Sequence, residues 1–342
     1  MPARIAVAAA LLLALPLAAC GSKDEEAAGK SAGPVPQLDP PQAAEPVAGP
    51  PVKGTPPGRI VRVGKSPQGV AIDPTSHIAG IAVDDPPRLV LVDTRSGRKL
   101  REVSLPSRAR HVSLAATGGP FLVPCEETDQ LVEVDPRGGE LRVTKVGDNP
   151  HDATAIGDRR YTANEFASTM TVVRDGRVRG TVPVDAQPGG IAAADGKLFV
   201  NAVRAYTIEQ YSGGDRPSGG GSQSSGLGPS HVVAGAEGRI AIGDTRGQAL
   251  VVYDTRPGLR FRARVPLGGT AEGLAADPGR GTVWVTLSER AKAVPVDLRP
   301  AKPVVGRSVP TARNPLSVAV DTATGRLAIA SKADGTLQLV DP

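Results

Sequence analysis

The chain has 342 residues, a formal charge of +5, 40% hydrophobic and only 3% aromatic side chains, and two cysteines. So few aromatic residues make stacking platforms for single-stranded nucleic acid scarce, and two thiols cannot build the disulfide framework of a small secreted fold. No phosphate loop, nucleophile elbow or zinc-protease helix occurs, and an electron-transfer accessory, a third reading, has no haem motif or copper-type Cys/His/Met set to support it.

In chain order the first element is a targeting segment, residues 1–20. Arg4 supplies its positive end, and "IAVAAALLLALPLA" is apolar but too short for a mature membrane span. It closes on "LAAC", Leu17 to Cys20. This resembles the bacterial lipobox, which implies cleavage and lipidation (palmitate) of Cys20; the alternative is an ordinary secretory peptide. Acyl chains contribute roughly 0.8 kcal/mol per buried methylene. A lipidated Cys20 therefore predicts firm anchoring to the cell membrane on the extracytoplasmic side of the bacterial envelope. Residues 21–57 are rich in Pro, Ala and Gly with almost no large apolar side chains. They predict a disordered linker, a stalk able to extend on the order of 100 Å.

Residues 1–57 hold four cations and five carboxylates, so their balance is −1 and residues 58–342 carry +6. That mildly basic domain is built on a repeat. The motif is a proline or small residue, two variable positions and a β-branched or small apolar run. It occurs as "PQGVAID" at Pro67, "ARHVSLA" at Ala109, "PHDATAI" at Pro150 and "PGGIAAAD" at Pro188. It continues as "PSHVVAG" at Pro229, "AEGLAAD" at Ala271 and "PLSVAVD" at Pro315, with successive spacings of 42, 41, 38, 41, 42 and 44. Each unit reads as short Val/Ile/Leu-rich strands bounded by Gly, Asp and Pro, without helical periodicity. Four strands per unit and seven units predict an all-β, seven-bladed β-propeller. The last unit stops at Asp341 after three strands, and "GRIVRVG", Gly58 to Gly64, is available as its fourth. The ring is thus expected to close by pairing the N-terminal strand with the last blade.

The unit resembles the YVTN-type β-propeller repeat of exported bacterial and archaeal proteins. The residues carrying the resemblance include "VGKSPQGVAIDP", "RLVLVDTRSGRKLREVSL", "ALVVYDTRPG" and "NPLSVAVDTATGRLAIASKADGTLQLVDP". It spans Gly58 to Pro342 and implies architecture rather than one activity. Two departures stand out. "YTANEF" and "LFVNAV" are the nearest matches to the core motif, and blade four lacks a recognisable outer strand, with the Gly/Ser-rich run 213–228 in its place.

If strands run from the channel outward, the connections into each innermost strand and those between second and third strands share one axial face. The second position past each anchor holds Gly69, His111, Asp152, Gly190, His231, Gly273 and Ser317, with His151 and Glu272 one position earlier. Asp84, Cys125, Glu126, Glu165, Asp244 and Glu289 fall on the other connections of that face. Three of four histidines therefore converge there, whereas His77 falls in a turn on the opposite face and reads as a solvated residue. His111, His151, Asp152 and His231, with Glu126 or Glu165, are the candidate ligand-binding residues. A metal or acid–base role for them competes with simple hydrogen bonding of turns, because Gly and Ser fill the same position elsewhere. Lys65, Arg108, Arg110, Arg313 and Lys332 on this face oppose a divalent cation. Cys125, beside Glu126 and Glu127, reads as buried and inert.

The opposite rim is basic, with Arg95, Arg98 and Lys99, Arg174, Arg177 and Arg179, and Arg256, Arg260, Arg262 and Arg264. It is expected to be solvated and to guard edges. The expectation is a monomeric binding scaffold for a polar small molecule or an envelope protein, with no nucleic acid. A propeller-type hydrolase or lyase acting through His111, His151 and His231 is the alternative. No cofactor is specified.

Overall fold

A computed structural model describes residues 42–342. The targeting segment, Cys20 and the first part of the linker lie outside them. The described chain is a ring of seven antiparallel sheets, an all-β seven-bladed propeller. Blade one runs Lys65–Asp73, Ile78–Asp85, Pro87–Asp93 and Lys99–Ser104 from inner to outer strand. The other inner strands are Ser113–Leu114, Pro150–Ile156, Pro188–Ala194, Pro229–Ala234, Ala271–Asp277 and Pro315–Val320. Each begins at, or a few residues after, one of the sequence anchors. The seventh blade is completed by Arg59–Arg62, which pairs antiparallel with Thr336–Val340 in the register Arg59 to Leu339 and Arg62 to Thr336.

The strands alternate, as half-buried strands do, and their apolar faces meet those of the next blade rather than a common centre. Seven apolar clusters result among the described residues, one at each blade junction. The junction between blades two and three is the thinnest, with Leu122, Leu131 and Ala153 at its heart. It is supplemented by Glu133, buried and 3.1 Å from Nε of Arg160 in the next blade.

Three features differ from expectation. Blade four has an outer strand: Gly219–Ser224, "GGGSQS", pairs with Thr207–Ser212. No apolar side chain marks it, whereas the outer strand of blade one buries Val103, so backbone pairing alone defines it. His77 is paired rather than simply solvated, its side chain 18% exposed. Its Nδ1 lies 2.6 Å from Oδ2 of Asp321 in blade seven, whose side chain is 1% exposed. Finally, residues 42–57 lie extended against the ring. The Tyr206 hydroxyl donates to the carbonyl of Gln42 at 2.5 Å, and Nη2 of Arg246 donates to the carbonyls of Gln42 and Ala43 at 3.0 and 3.2 Å. The Gly49 amide donates to Oδ1 of Asn314 at 2.6 Å, and Gln338 Nε2 to the Pro57 carbonyl at 2.8 Å.

Candidate functional site

The inner strands stand so close at the axis that the second position past each anchor faces the backbone of the next blade. A Cβ on Gly69 would meet the Val112 amide nitrogen at 2.5 Å, and one on Gly273 would meet Cα of Ser317 at 2.7 Å. Three of the four side chains at this position bond across the gap. Ser317 Oγ accepts the Val70 amide at 3.2 Å, and Oδ2 of Asp152 accepts the Ile191 amide at 3.0 Å. Nδ1 of His231 contacts the Glu272 carbonyl at 2.8 Å. Asp152 is thus a blade-to-blade clamp as well as a site residue, and Oδ1 of its carboxylate accepts the Ala153 amide at 2.8 Å.

These positions enclose an axial funnel of about 510 Å³, within the size range of small-molecule sites. Its floor gathers the three histidines. The ring centroids of His111 and His231 are 4.6 Å apart and those of His111 and His151 are 4.8 Å apart. Nε2 of His111 lies 3.1 Å from Nε2 of His231. A carbonyl oxygen only accepts, so Nδ1 of His231 carries the proton that faces Glu272. Its Nε2 is then an acceptor, and His111 donates from Nε2. Nδ1 of His111 is left as a basic nitrogen, 3.7 Å from Oδ1 of Asp152. His151 points the other way: its Nδ1 stands 3.0 Å from Oε1 of Glu126 and 3.1 Å from Oε2 of Glu165.

Burial sorts the charges. It depresses His111 well below the ordinary imidazole value, helped by the neighbouring His231, His151 and Arg110. It also lowers His231, to about 4, against the contrary pull of the Glu272 carbonyl. Both rings are neutral at pH 7. Burial would lower His151 as well, but the carboxylates of Glu126 and Glu165 outweigh it and raise it to about 9. Burial raises Glu165 too, but the neighbouring His151 prevails and its carboxyl stays below its usual range. Asp152 is pushed up to about 6 by burial, moderated by its two amide donors. Burial, with Glu45 nearby, lifts Glu272 to about 8, so it is protonated at neutrality. The floor thus offers neutral imidazoles, one imidazolium, one carboxylic acid and ionised carboxylates within one small volume.

The structure brings His111, His151, Asp152, His231, Glu126 and Glu165 together as one cluster, with Arg108, Arg110 and Lys332 on the funnel wall. Lys65 pairs instead with Asp85 at 3.1 Å. Cys125 ends the buried strand Phe121–Cys125, and burial raises its thiol to about 12. Glu45 and Gln68 also line the funnel. Glu45 had no sequence signal, since it belongs to a segment that reads as linker; Gln68 was legible only as a variable position of the first anchor. The basic rim is largely paired: Arg174 with Asp158 at 2.7 Å, Arg262 with Asp254 at 3.3 Å, and Arg256 with Asp195.

The sequence matches no protein-family model and no curated protein. Its fold is similar to many solved structures. Hydrazine synthase from Kuenenia stuttgartiensis superposes with a TM-score of 0.71 at 16% identity, over 82% of this chain and 96% of that one. Virginiamycin B lyase from Staphylococcus aureus gives 0.66 at 11% identity, over 83% and 99%. The WD40 repeats of RRP9 give 0.68 at 10%, over 82% and 97%. At such identities the likeness is one of fold alone.

Proposed function

We propose that this chain is a lipid-anchored, extracytoplasmic propeller of the YVTN type in the bacterial cell envelope, and that it binds a small polar ligand in its axial funnel. The observation that carries the binding reading is the convergence of His111, His151 and His231 from three different blades on one 510 Å³ cavity. Burying three imidazoles and four carboxyl groups at one point costs stability, and three other blades fill the equivalent position with glycine. The anchor rests on the sequence "LAAC"; incorporation of labelled palmitate that is lost in Cys20→Ala tests it separately.

The binding test uses the four imidazoles as reporters, with His77 on the opposite face as an internal control. Nitrogen-15 spectra of the metal-free full chain are recorded while acetate, phosphate, glycine and glucose are added singly. At least one probe shifts His111 and His231 saturably and leaves His77 unmoved. Equal insensitivity of all four rings to all four probes sinks the reading.

A lyase or hydrolase is the second reading, favoured by the hydrogen-bonded neutral pair His111 and His231, an acid beside a base. Among proteins of similar fold, one is a virginiamycin B lyase. Chromatographic loss of virginiamycin B that disappears in His111→Ala would support it, and an unchanged substrate peak would remove that substrate.

A further inference from the structure

The second arm of the cluster has a geometry that a hydrogen-bonded ion pair does not explain. Nδ1 of His151 lies 3.0 Å from Oε1 of Glu126 and 3.1 Å from Oε2 of Glu165. Both distances suit a hydrogen bond, yet neither closes one. Nδ1 of His151 and Oε1 of Glu126 are buried polar atoms without a hydrogen-bond partner, in residues that are 8% and 5% exposed. Neither oxygen therefore stands in line with the proton direction of the nitrogen. Two buried donor atoms unbonded to each other, with a third beside them, can be satisfied together by one ion. With metal–ligand bonds of about 2.1 Å, two ligands stand about 3.4 Å apart at the tetrahedral angle and about 3.0 Å apart at right angles, and the imidazole nitrogen is 3.0 and 3.1 Å from the two carboxylate oxygens. The three donor atoms all fall within 4.8 Å of one another.

We propose that Glu126, His151 and Glu165 form a binding site for one divalent first-row transition metal, of the Zn²⁺ or Mn²⁺ kind, at the floor of the axial funnel. One imidazole and two carboxylates suit a borderline-to-hard ion and leave coordination positions open toward the cavity. One ligand is held from outside, as carboxylates at metal sites are. Gln187 Nε2 donates to Oε1 of Glu165 at 2.7 Å, which directs the other oxygen inward. The Glu126 amide donates to the Arg108 carbonyl at 3.0 Å and holds the start of the loop. Arg110 is the opposing feature: its Nε lies 3.5 Å from Oε1 of Glu126. Its side chain is 54% exposed, so it can withdraw to solvent when an ion arrives. Two carboxylates balance the ion's two charges, and His151 binds it as the neutral ring, releasing its proton. The proposal deepens the reading that the axial funnel is where the chain acts, because an ion with open positions would hold a polar ligand directly.

The test is calorimetric titration of the chelator-treated full chain with ZnCl₂ alone and MnCl₂ alone. Binding of one equivalent is expected, weakened at least tenfold in Glu126→Gln and in Glu165→Gln and unchanged in Glu127→Gln, whose carboxylate is exposed beside Arg108. A measurement needing no variant accompanies it. Sub-stoichiometric Mn²⁺ broadens the His151 and His111 resonances and spares His77. Absence of binding, or binding that survives Glu126→Gln combined with Glu165→Gln, overturns the site. So does binding lost only in His111→Ala with His231→Ala, which would place the ion elsewhere. The polar-probe titration above is run without metal, so its failure and this one are read independently.

Discussion

At the axis, each residue two past an anchor answers the same steric demand, and the answers differ measurably. Gly273 faces backbone, with Cα of Ser317 at 2.7 Å and the Leu316 carbonyl at 2.8 Å from a Cβ position, whereas Gly190 faces a valine methyl and an amide nitrogen, both at 3.3 Å. Backbone cannot yield without moving a strand. Gly273→Ala should therefore cost about 1–3 kcal/mol and Gly190→Ala clearly less, as read by urea denaturation; equal costs would contradict the close approach. Asp73 makes a second prediction. Burial pushes its carboxyl up, but donors from Ser76, Thr75 and the Gly118 amide prevail and hold it at about 2. The Gly118 bond, 2.8 Å to Oδ1, ties blade one to blade two. A carboxyl depressed in the folded state contributes stability that is full above its unfolded value near 3.9 and is lost as pH falls through 2. Asp73→Asn should flatten the acid limb of the stability curve between about pH 4 and 2 by on the order of 2 kcal/mol and leave its slope above pH 5 unchanged. Comparable steepness in both proteins would refute this role.

Among elements, those with apolar side chains were legible and those defined only by backbone or by distant partners were not. The seven anchors, the closing strand and the convergence of three histidines all follow from a spacing of about 42 residues. The Gly/Ser strand of blade four carries no such signal. Neither did the 42–57 segment reveal that Tyr206, Arg246, Asn314 and Gln338 would hold it, because each contact joins residues more than 160 positions apart. Glu45, which that segment delivers to the funnel, was invisible for the same reason, and so was the His77–Asp321 pair. The hold on the segment is localised and polar, so it should be separable from ring stability. Tyr206→Phe combined with Arg246→Ala removes the bonds to Gln42 and Ala43. Proteinase K cleavage between 42 and 57 should then accelerate at least tenfold, with the melting temperature of the ring moving by no more than about 2 °C. A coupled loss of both would mean that the segment is part of the ring's own core.

At the scale of the molecule, the site exists only because the ring closes. His111, His151 and His231 come from blades two, three and five, and no pair of neighbouring blades would assemble them. The seam is the four-residue strand Arg59–Arg62 on Thr336–Val340, backed by the buried side chains of Val63, Leu337 and Leu339. A chain lacking residues 1–62 exposes the edge of Thr336–Val340, a template for pairing with another molecule. It should melt several degrees lower and associate as its concentration rises, in sedimentation or light scattering. The strand is added through backbone hydrogen bonds, so a peptide of residues 58–64 supplied in trans should restore both properties. Because the funnel floor spans the ring, His111 and His231 in the truncated chain should also lose their mutual contact. Their resonances should become exchange-broadened and sharpen again when the peptide binds. If the truncated chain stays monomeric with those resonances unchanged, closure and site are independent, and the blade junctions hold the axis without the closing strand.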